Sequence, residues 1–355
     1  MNLWIRADAD TRIGTGHIMR CIALAQAWQD RGGKVTFLSH CESGELQERI
    51  LKEGFEFLFL EKVHPDPSDL ERTLSLLTTK TNQTNTTNLS NPTNQLEPFW
   101  LVLDGYHFTS EYQKTIRDAG IRLLIIDDMN HLPHYHADIL LNQNIHAPAL
   151  KYHCDEDTTL LLGTHYVLLR REFLKYCNFN RHIPDRAKNV LVTLGGADPD
   201  NVTLKVIEAL KLLNERDIIT RIIIGPANPH QEMLRKAITS AHFEAELLVN
   251  PLNMPELMAW ADLAVSAAGS TCWELSFMRL PFLAIVVAEN QCQSAHNLTE
   301  SRLIPIFTFA DNMFNKNIVH SLKSIFSDKI LREKLSENLE SLIDGAGVNR
   351  LMEIM

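Results

Sequence analysis

Residues 13–20 read IGTGHIMR, and they decide the fold because they directly follow a strand-like run at residues 2–8. A strand, a pair of glycines and then an amphipathic helix that begins at His17 are typical of an open α/β sheet. Ligands bind such sheets at the carboxyl ends of the strands, where glycines allow close backbone approach and helix N-termini offer free amides. The sequence therefore places a histidine where it can act on a bound ligand.

Length and composition bound the class of protein. The 355 residues, 45% of them hydrophobic and 22% charged, are too many for one ordinary core and predict two globular domains. No apolar run approaches the roughly 18–20 residues of a membrane span, and Arg6, Asp8 and Asp10 interrupt the core of a signal peptide. Six cysteines without CxxC pairs predict a cytoplasmic protein. A net charge of −10 argues against nucleic acid as a partner.

Strand-like and helical runs alternate along the chain. In the first half, strands are predicted at 3–7, 34–39, 55–60, 99–103, 122–126 and 139–141, with helices between them at 17–31, 44–52 and 110–119. A second series has strands at 189–194, 221–224, 247–249, 263–266 and 282–287, and a helical stretch follows at 319–343. This pattern predicts an α/β fold of two doubly wound, Rossmann-like domains, residues 1–184 and 185–355, whose strand ends face a shared cleft.

One segment breaks this alternation. Residues 78–98, TTKTNQTNTTNLSNPTNQLEP, are rich in Asn and Thr and almost free of apolar side chains. Such a segment cannot bury enough surface to offset the conformational entropy that it loses on ordering. We therefore predict a disordered surface insertion within the N-terminal domain.

The residues around the first glycine pair are candidates for a site. Gly14 and Gly16 would let a ligand approach the backbone, although a βα turn also uses glycines for structural reasons. Asp8 lies at the end of the first strand, where its carboxylate can either orient the imidazole of His17 or hydrogen-bond the turn. Arg20, one helical turn beyond His17, shares its face and is predicted either to bind substrate or to lie on the helix surface.

A second candidate site is SAAGSTCWE at residues 266–274, which follows a predicted strand and opens a helix. Small residues, Gly269 among them, let a diphosphate approach. The hydroxyls of Ser270 and Thr271 and the first-turn amides can bind its oxygens. One turn later, the Glu274 carboxylate can accept hydrogen bonds from both hydroxyls of a ribose. The alternative is an ordinary helix cap with a solvated Glu274.

Two further segments face the same predicted cleft. Gly195 and Gly196, after the first strand of the second domain, supply another phosphate-facing turn. Asn290 and Gln291 follow its fifth strand, where their amides can hydrogen-bond sugar hydroxyls or begin a helix. No GxGxxG precedes an acidic residue at Rossmann spacing, so we predict no nicotinamide or flavin cofactor.

Two groups of residues raise the question of a metal ion. His131, His134 and His136 are close in sequence, but no cysteine or carboxylate set with ligand spacing accompanies them, so the sequence favours a polar loop. Asp127 and Asp128 end a strand and are a candidate Mg²⁺ site for a diphosphate. Helix-start amides can bind a diphosphate without Mg²⁺, so we predict no metal.

An ordered set of motifs then extends along most of the chain. It begins with RAD at residues 6–8 and IGTGHIMRC at 13–21. It continues with DGY at 104–106, IDD at 126–128, LNQN at 141–144, LRREF at 169–173, LGGAD at 194–198 and AGSTCWE at 268–274. In this order the motifs resemble those of the UDP-2,4-diacetamido-2,4,6-trideoxy-β-L-altropyranose hydrolases of pseudaminic acid biosynthesis. The insertion at 78–98 departs from the usual length of that family.

The resemblance carries expectations about fold and site. It implies a GT-B fold similar to that of the MurG-type glycosyltransferases, with the nucleotide held by the C-terminal domain. It makes His17 the catalytic histidine and includes Asp8, Tyr106 and Asn144 in matching motifs. It also implies that UDP binds at Gly195, Gly196, Ser270, Thr271 and Glu274.

The sequence is therefore interpreted as a monomeric, cytoplasmic, metal-independent hydrolase of a UDP-sugar. In the predicted reaction, His17 assists a water molecule that attacks the anomeric carbon and inverts it, releasing UDP and the free sugar. Two alternatives stay open. One is a MurG-like glycosyltransferase that needs an alcohol acceptor, and the other is a nucleotide-sugar-binding module without catalytic activity.

Overall fold

The computed structural model describes residues 1–355 except 11–12, 64, 86–98, 214, 227, 289–290, 293–294, 296–304 and 309–313. For residues 79–85, 306 and 314–315 it describes the backbone only.

Seven parallel strands form the first sheet. They are β1 (Asn2–Ala7), β2 (Lys34–Ser39), β3 (Glu56–Phe59), β4 (Phe99–Asp104), β5 (Arg122–Ile126), β6 (Ile139–Asn142) and β7 (Thr159–Leu162), in the spatial order β3-β2-β1-β4-β5-β6-β7. Helices α1 (Gly16–Asp30), α2 (Gly44–Lys52), α3 (Asp69–Asn85) and α4 (Ser110–Asp118) connect the first five strands. The side chains of Ser43 and Thr109 cap α2 and α4 by accepting hydrogen bonds from backbone amides.

The second sheet is built in the same way. It contains β8 (Asn189–Thr193), β9 (Ile219–Ile224), β10 (Glu244–Val249), β11 (Leu263–Ala267), β12 (Phe282–Val286) and β13 (Ile306–Thr308), all parallel, in the order β10-β9-β8-β11-β12-β13. The helices α5 (Arg171–Leu174), α6 (Val202–Leu212), α7 (Gln231–Thr239), α8 (Met254–Trp260) and α9 (Thr271–Phe277) precede or connect these strands. Three C-terminal helices span Phe314–Ser327, Lys329–Glu340 and Gly347–Ile354.

Each sheet buries both of its faces, which explains why its strands read as continuous apolar runs. In β4, Trp100 and Val102 pack into one cluster of buried side chains, whereas Leu101 and Leu103 pack into the cluster on the opposite face. Successive side chains of a strand alternate between faces. The chain order reverses between β1 and β4 in the first sheet and between β8 and β11 in the second. Ligands bind α/β sheets at such reversals.

Several elements differ from the expectations drawn from the sequence. The edge strands β7 and β13 were not predicted. Helix α3 continues to Asn85, so its backbone is helical over the first part of the predicted insertion, and the disorder of that insertion stays a prediction. Extending an existing helix adds one hydrogen bond per residue without a new nucleus, which outweighs the poor helix propensity of Thr and Asn. Residues 86–98 lie outside the described part of the chain.

The last helix, Gly347–Ile354, lies apart from the domain in which its sequence position places it. Val348, Leu351 and Met352 pack into the buried cluster that contains helix α1 of the first sheet. The side chain of Arg31 donates a hydrogen bond to the carbonyl of Met352 over 2.6 Å. The predicted division at residue 184 stays a prediction, but this helix packs against the first domain.

Within the described ranges, no helix is long and apolar enough to cross a membrane.

Candidate active site

The loop after β1 places the candidate histidine at the point where the strand order of the first sheet reverses, between β1 and β4. Gly14 adopts a positive φ of 77°, a conformation that strains other residues. Helix α1 then begins at Gly16 without a side-chain cap from Thr15. His17 follows in the first turn, with only 6% of its surface exposed. The glycine turn thus delivers a nearly buried imidazole to the carboxyl end of the sheet.

A carboxylate from the neighbouring strand holds this imidazole. Nδ1 of His17 lies 2.5 Å from Oδ1 of Asp104, the last residue of β4. Burial alone raises the pKa of the Asp104 carboxyl, but the charges of Arg20 and His17 outweigh it and hold that pKa well below its usual range. Asp104 is therefore ionised and accepts a hydrogen bond from Nδ1–H of His17, which leaves Nε2 as the nitrogen that can take up a proton.

Arg20 ties this pair to a second carboxylate. Its guanidinium donates to Oδ2 and Oδ1 of Asp104 over 2.7 and 2.6 Å, and to Oδ1 of Asp128 over 2.8 Å. Asp128 also accepts from the hydroxyl of Tyr106 over 3.0 Å and from the side-chain amide of Asn144 over 2.7 Å. The Tyr106 ring packs edge-on against His17, with ring centres 4.9 Å apart. Arg20 is thus a buried positioning group with paired charge, in contrast to the helix-surface alternative.

The structure corrects the prediction that Asp8 orients His17. The Asp8 carboxylate pairs with the buried guanidinium of Arg6 and accepts a hydrogen bond from the backbone amide of His40 over 2.7 Å. Arg6 also pairs with Asp69. Among the described residues no hydrogen bond joins Asp8 to His17. Alternation along β1 accounts for this difference, because Asp8 has the same parity as Arg6, which points to the face of the sheet that α3 covers, whereas α1 with His17 packs on the opposite face.

Asp127 and Asp128, the candidate Mg²⁺ ligands, both accept hydrogen bonds from other side chains of the protein. Asp127 accepts hydrogen bonds from the hydroxyls of Tyr135 and Tyr152 over 3.1 and 2.6 Å, and from two backbone amides of its own loop. Its carboxylate is therefore engaged in holding the loop, whereas Asp128 is engaged by Arg20. The two neighbouring carboxylates therefore accept hydrogen bonds from different direct partners.

The opposite wall of the cleft is formed where the strand order of the second sheet reverses, between β8 and β11. Helix α9 follows β11, and its N-cap residue Ser270 makes no side-chain cap within the helix. A Cβ added to Gly16 would lie 3.4 Å from Oγ of Ser270, and one added to Gly196 would lie 3.2 Å from Thr15. The residue before His17 therefore lies against the start of α9. The two walls are close enough for one ligand to contact both.

A different arrangement is found at the start of α6. The Asp198 carboxylate accepts hydrogen bonds from the amides of Val202 and Thr203 over 2.8 and 2.9 Å. Those first-turn amides are occupied by the protein itself and are not open to a phosphate. The neighbouring Gly195, with a φ of 93°, still presents its backbone to the cleft. Of these two helix starts in the second domain, α9 is the one without a carboxylate cap.

Glu274 in the first turn of α9 is paired, with 17% of its side chain exposed. Its Oε1 accepts hydrogen bonds from Nε and Nη2 of Arg170 over 3.1 and 2.7 Å. Burial raises the pKa of the Glu274 carboxyl even though Arg170 opposes that shift. Arg170 also donates to Glu172, which in turn pairs with Arg49 of α2. Glu274 therefore pairs directly with Arg170 and is connected through Glu172 and Arg49 to α2, which contradicts the solvated alternative.

One cleft of about 1010 Å³, its open mouth included, collects most of the predicted residues. Predicted residues that line it are Gly14, Gly16, His17, Arg20, Tyr106, Asn144, Gly195, Gly196, Gly269, Ser270, Thr271 and Gln291. Asp8 and Glu274 are not among its lining residues. Asn290 lies outside the described residues. Sequence reasoning quoted Asp104 and Arg170 within motifs and weighed Asp128 as a Mg²⁺ ligand, but it missed their roles as positioning groups and as the partner of Glu274.

Charge is distributed unequally between the two walls. The first domain contributes the carboxylate of Asp128 and the guanidinium of Arg20, with Asp104 directly behind them. The described lining residues from the second domain are glycines, alanines, Ser270, Thr271, Cys272, Trp273 and Gln291, none of which is charged. An anionic ligand group is therefore repelled less by the second wall, where backbone amides and hydroxyls can bind it.

The histidines of the β5–β6 loop are not all equivalent. His131 directs Nε2 to the carbonyl of Tyr106 over 2.9 Å. His134 and His136 instead meet the carboxylate of Asp155. The expectation that no carboxylate accompanies these histidines is therefore wrong, because folding supplies one from a distant part of the sequence.

Comparison with known proteins agrees with this fold. Residues 189–338 match the family model of the glycosyltransferase family 28 C-terminal domain. MurG from Acinetobacter baumannii superposes with a TM-score of 0.64 at 13% identity, covering 100% of this chain and 99% of its own. Its identity is too low to indicate more than the fold. The predicted GT-B fold of two Rossmann-like domains is thereby confirmed.

Relatives by sequence are more specific. The UDP-2,4-diacetamido-2,4,6-trideoxy-β-L-altropyranose hydrolase of Campylobacter jejuni is 25% identical over 302 residues, 83% of this chain and 95% of its own length. A Helicobacter pylori protein named both pseudaminic acid cytidylyltransferase and this hydrolase is 28% identical over 66% of this chain. An uncharacterized protein of Methanocaldococcus jannaschii is 26% identical over 82% of this chain. These names confirm the resemblance found in the sequence.

The chain covers these relatives to different extents. The matched region makes up 57% of the Methanocaldococcus jannaschii protein and 45% of the Helicobacter pylori protein. This chain thus spans about half the length of these two relatives.

Proposed function

We propose that this protein hydrolyses UDP-2,4-diacetamido-2,4,6-trideoxy-β-L-altropyranose to UDP and the free sugar. The observation that carries the proposal is the His17–Asp104 pair, which lies in a cleft whose opposite wall, as far as the structure describes it, is uncharged and rich in glycine. The substrate comes from the names of the Campylobacter jejuni and Helicobacter pylori relatives. At that level of identity, the substrate and the mechanism are proposals about this chain.

The nucleotide is assigned to the second domain. The diphosphate would contact the turn at Gly195 and the start of α9, where Ser270 and Thr271 offer hydroxyls and amides without a competing carboxylate. The ribose hydroxyls would donate hydrogen bonds to Oε2 of Glu274, since Arg170 hydrogen-bonds only Oε1. The sugar would then extend toward the first domain. This orientation brings its anomeric carbon to His17.

His17 would assist the attack of water. With Nδ1 bonded to Asp104, a neutral imidazole can accept a proton from water at Nε2 as the oxygen bonds to the anomeric carbon. The carbon–oxygen bond to the diphosphate breaks, and UDP leaves with that electron pair. The hydroxyls and amides at Ser270 and Thr271 would stabilise the leaving charge. Displacement by water from the opposite face inverts the anomeric carbon.

The donor set of the cleft supports a reaction that does not use a metal ion there. A cation at Asp104 or Asp128 would have to displace the guanidinium of Arg20, which bonds both carboxylates at 2.6–2.8 Å. Mg²⁺ is typically held by carboxylates that are free to coordinate it. Arg20 therefore fills the place that a divalent cation would take.

A glycosyltransferase is the second candidate, favoured by the family 28 domain match and by the likeness to MurG. It would use the same cleft and the same donor, with an alcohol in place of water. Histidine assistance would be equally useful to it, so the geometry of His17 does not separate the two reactions.

The experiment that separates them is incubation of the full chain with the UDP-sugar in the absence of any acceptor. We expect stoichiometric release of UDP and free sugar, and no release from UDP-N-acetylglucosamine at the same concentration. Release that begins only when an alcohol acceptor is added would establish the transferase. Binding of UDP without release under either condition would establish a binding module.

A further inference from the structure

The cluster of His134, His136 and Asp155 lies away from the cleft and takes no part in the proposed reaction. Nε2 of His134 lies 2.9 Å from Oδ1 of Asp155, and Nδ1 of His136 lies 2.9 and 3.1 Å from its two oxygens. One donor atom from each of the three residues lies within 4.8 Å of the others. We propose that these three side chains form a binding site for a transition-metal dication of the Zn²⁺ type.

Backbone pairing brings the three residues to one face. Tyr135 and Cys154 form an isolated parallel bridge, in which the Tyr135 amide donates to the His153 carbonyl over 2.8 Å. Side chains alternate on either side of such a bridge. Tyr135 is fully buried, whereas His134, His136 and Asp155 project together toward solvent. The His-x-His spacing therefore places two candidate ligands next to each other on one side of an extended segment.

The two nitrogen–oxygen separations in the cluster are close to those of a tetrahedral site. With metal–ligand bonds of roughly 2.0–2.1 Å, neighbouring ligand atoms of a tetrahedron lie about 3.3 Å apart. The nitrogen–oxygen separations of 2.9–3.1 Å in the cluster fall a few tenths of an ångström short of that value. A dication would replace the two shared protons between the imidazoles and the carboxylate, and the ligands would spread slightly around it.

Ligand chemistry and exposure support the choice of metal. Two imidazoles and one carboxylate suit Zn²⁺ better than Mg²⁺ or Ca²⁺, which prefer oxygen ligands. The three side chains are 20–40% exposed, so the ion can enter and water can occupy the remaining position. The cluster has no cation of its own among the described contacts, whereas the carboxylates in the cleft are paired with Arg20.

A metal ion here would connect two segments of the first domain. His134 and His136 belong to the β5–β6 loop that also carries Asp128, and Asp155 precedes β7. Binding to the folded protein would therefore stabilise the loop that holds Arg20 in place. The site would support the cleft from a distance without contacting substrate.

The test uses the full chain after removal of metals with a chelator, titrated with Zn²⁺ alone by calorimetry. We expect about one equivalent to bind and to raise the melting temperature. His136→Gln and Asp155→Asn should each weaken binding at least tenfold and remove that rise. His165→Gln is the matched control, because His165 is an exposed histidine outside the cluster, and it should bind Zn²⁺ as the parent does.

Co²⁺ provides an independent readout that does not depend on stability. A three-ligand site with bound water should give visible absorption bands of a four-coordinate Co²⁺ complex, lost in His134→Gln, whose exposed side chain can be replaced with little effect on packing. Failure of Zn²⁺ to bind would overturn the proposal and leave a hydrogen-bonded cluster only. Equal binding to the parent and to every cluster variant would overturn it as well, since the ion would then bind other surface histidines.

Discussion

Nδ1 of His17 lies 2.5 Å from Oδ1 of Asp104, although the two residues are 87 positions apart in the sequence. The contact exists because β1 and β4 are adjacent where the strand order reverses, so the loop after one strand meets the end of the other. The carboxylate fixes the ring and the nitrogen that carries its proton. This relationship places a candidate base at the cleft.

Replacing the histidine tests that role directly. His17→Asn should lower turnover of the UDP-sugar by about 10²–10⁴-fold, the usual contribution of a general base. UDP affinity should change little, because the nucleotide is assigned to the other wall. Steady-state kinetics and calorimetry with UDP measure the two quantities separately, and His165→Asn controls for loss of a histidine elsewhere. Turnover above about a tenth of the parent value would contradict the assignment.

Asp104 and Asp8 provide a matched comparison, because each is a buried carboxylate paired with an arginine. Asp104→Asn should reduce kcat by about 10²-fold or more, since an amide does not hold the ring in the same protonation state. Asp8→Asn should keep turnover within about twofold, while both variants lose roughly 1–3 kcal/mol of stability. Kinetics together with urea unfolding measure the contrast. An equal loss of turnover in both variants would return Asp8 to the mechanism.

The architecture could be predicted from the sequence, because it depends on patterns that occur within single segments. Continuous apolar strands, glycine turns and amphipathic helices predict two parallel sheets, and the turns after β1, β8 and β11 were correctly expected to line one cleft. His17 was found in the same way, since its position at a helix start is a local property.

The hydrogen-bond partners of the site residues were harder to predict from the sequence, because pairing between distant segments is not a local property. Asp8 was chosen to orient His17 for its closeness in sequence, but Arg6 and the amide of His40 engage it. Asp104 was quoted within a motif without a role. Its position at the end of β4, next to β1 in the usual doubly wound order, was the signal that could have identified it.

Glu274 should contribute to binding through the ribose. Glu274→Ala is expected to weaken UDP binding by about 1.5–3 kcal/mol, the scale of hydrogen bonds to a charged group. The loss should be much smaller with 2′,3′-dideoxy-UDP, which lacks the two hydroxyls. Glu172→Ala is the matched control, because Glu172 bonds the same Arg170 and is not assigned to the ligand. Equal losses with both ligands would show that Glu274 acts only through packing of the wall.

The pH dependence of UDP binding offers a second test of this carboxylate. Burial raises the pKa of Glu274, so its protonation begins at a higher pH than that of an ordinary glutamate, whose pKa is about 4.3. A protonated carboxyl cannot accept hydrogen bonds from both hydroxyls as the ionised form does. UDP affinity should therefore fall as pH decreases toward that range, and it should fall less steeply in Glu274→Gln. Titration of the UDP phosphate is common to both proteins, so parallel profiles would contradict the ribose assignment.

The position of bond cleavage distinguishes attack at carbon from attack at phosphorus. If His17 serves water at the anomeric carbon, oxygen from solvent ends in the free sugar, and UDP keeps the bridging oxygen. If the amides near Ser270 activate phosphorus, solvent oxygen ends in the nucleotide. We expect the sugar to carry the label, because Arg20 engages the carboxylates of the cleft that would otherwise hold metal ions to activate a phosphoryl group. Reaction in ¹⁸O-water followed by mass spectrometry of both products measures the outcome, with the products incubated in labelled water as the control for exchange at the free sugar. Label in UDP would reject the proposed mechanism, although the protein would still be a hydrolase.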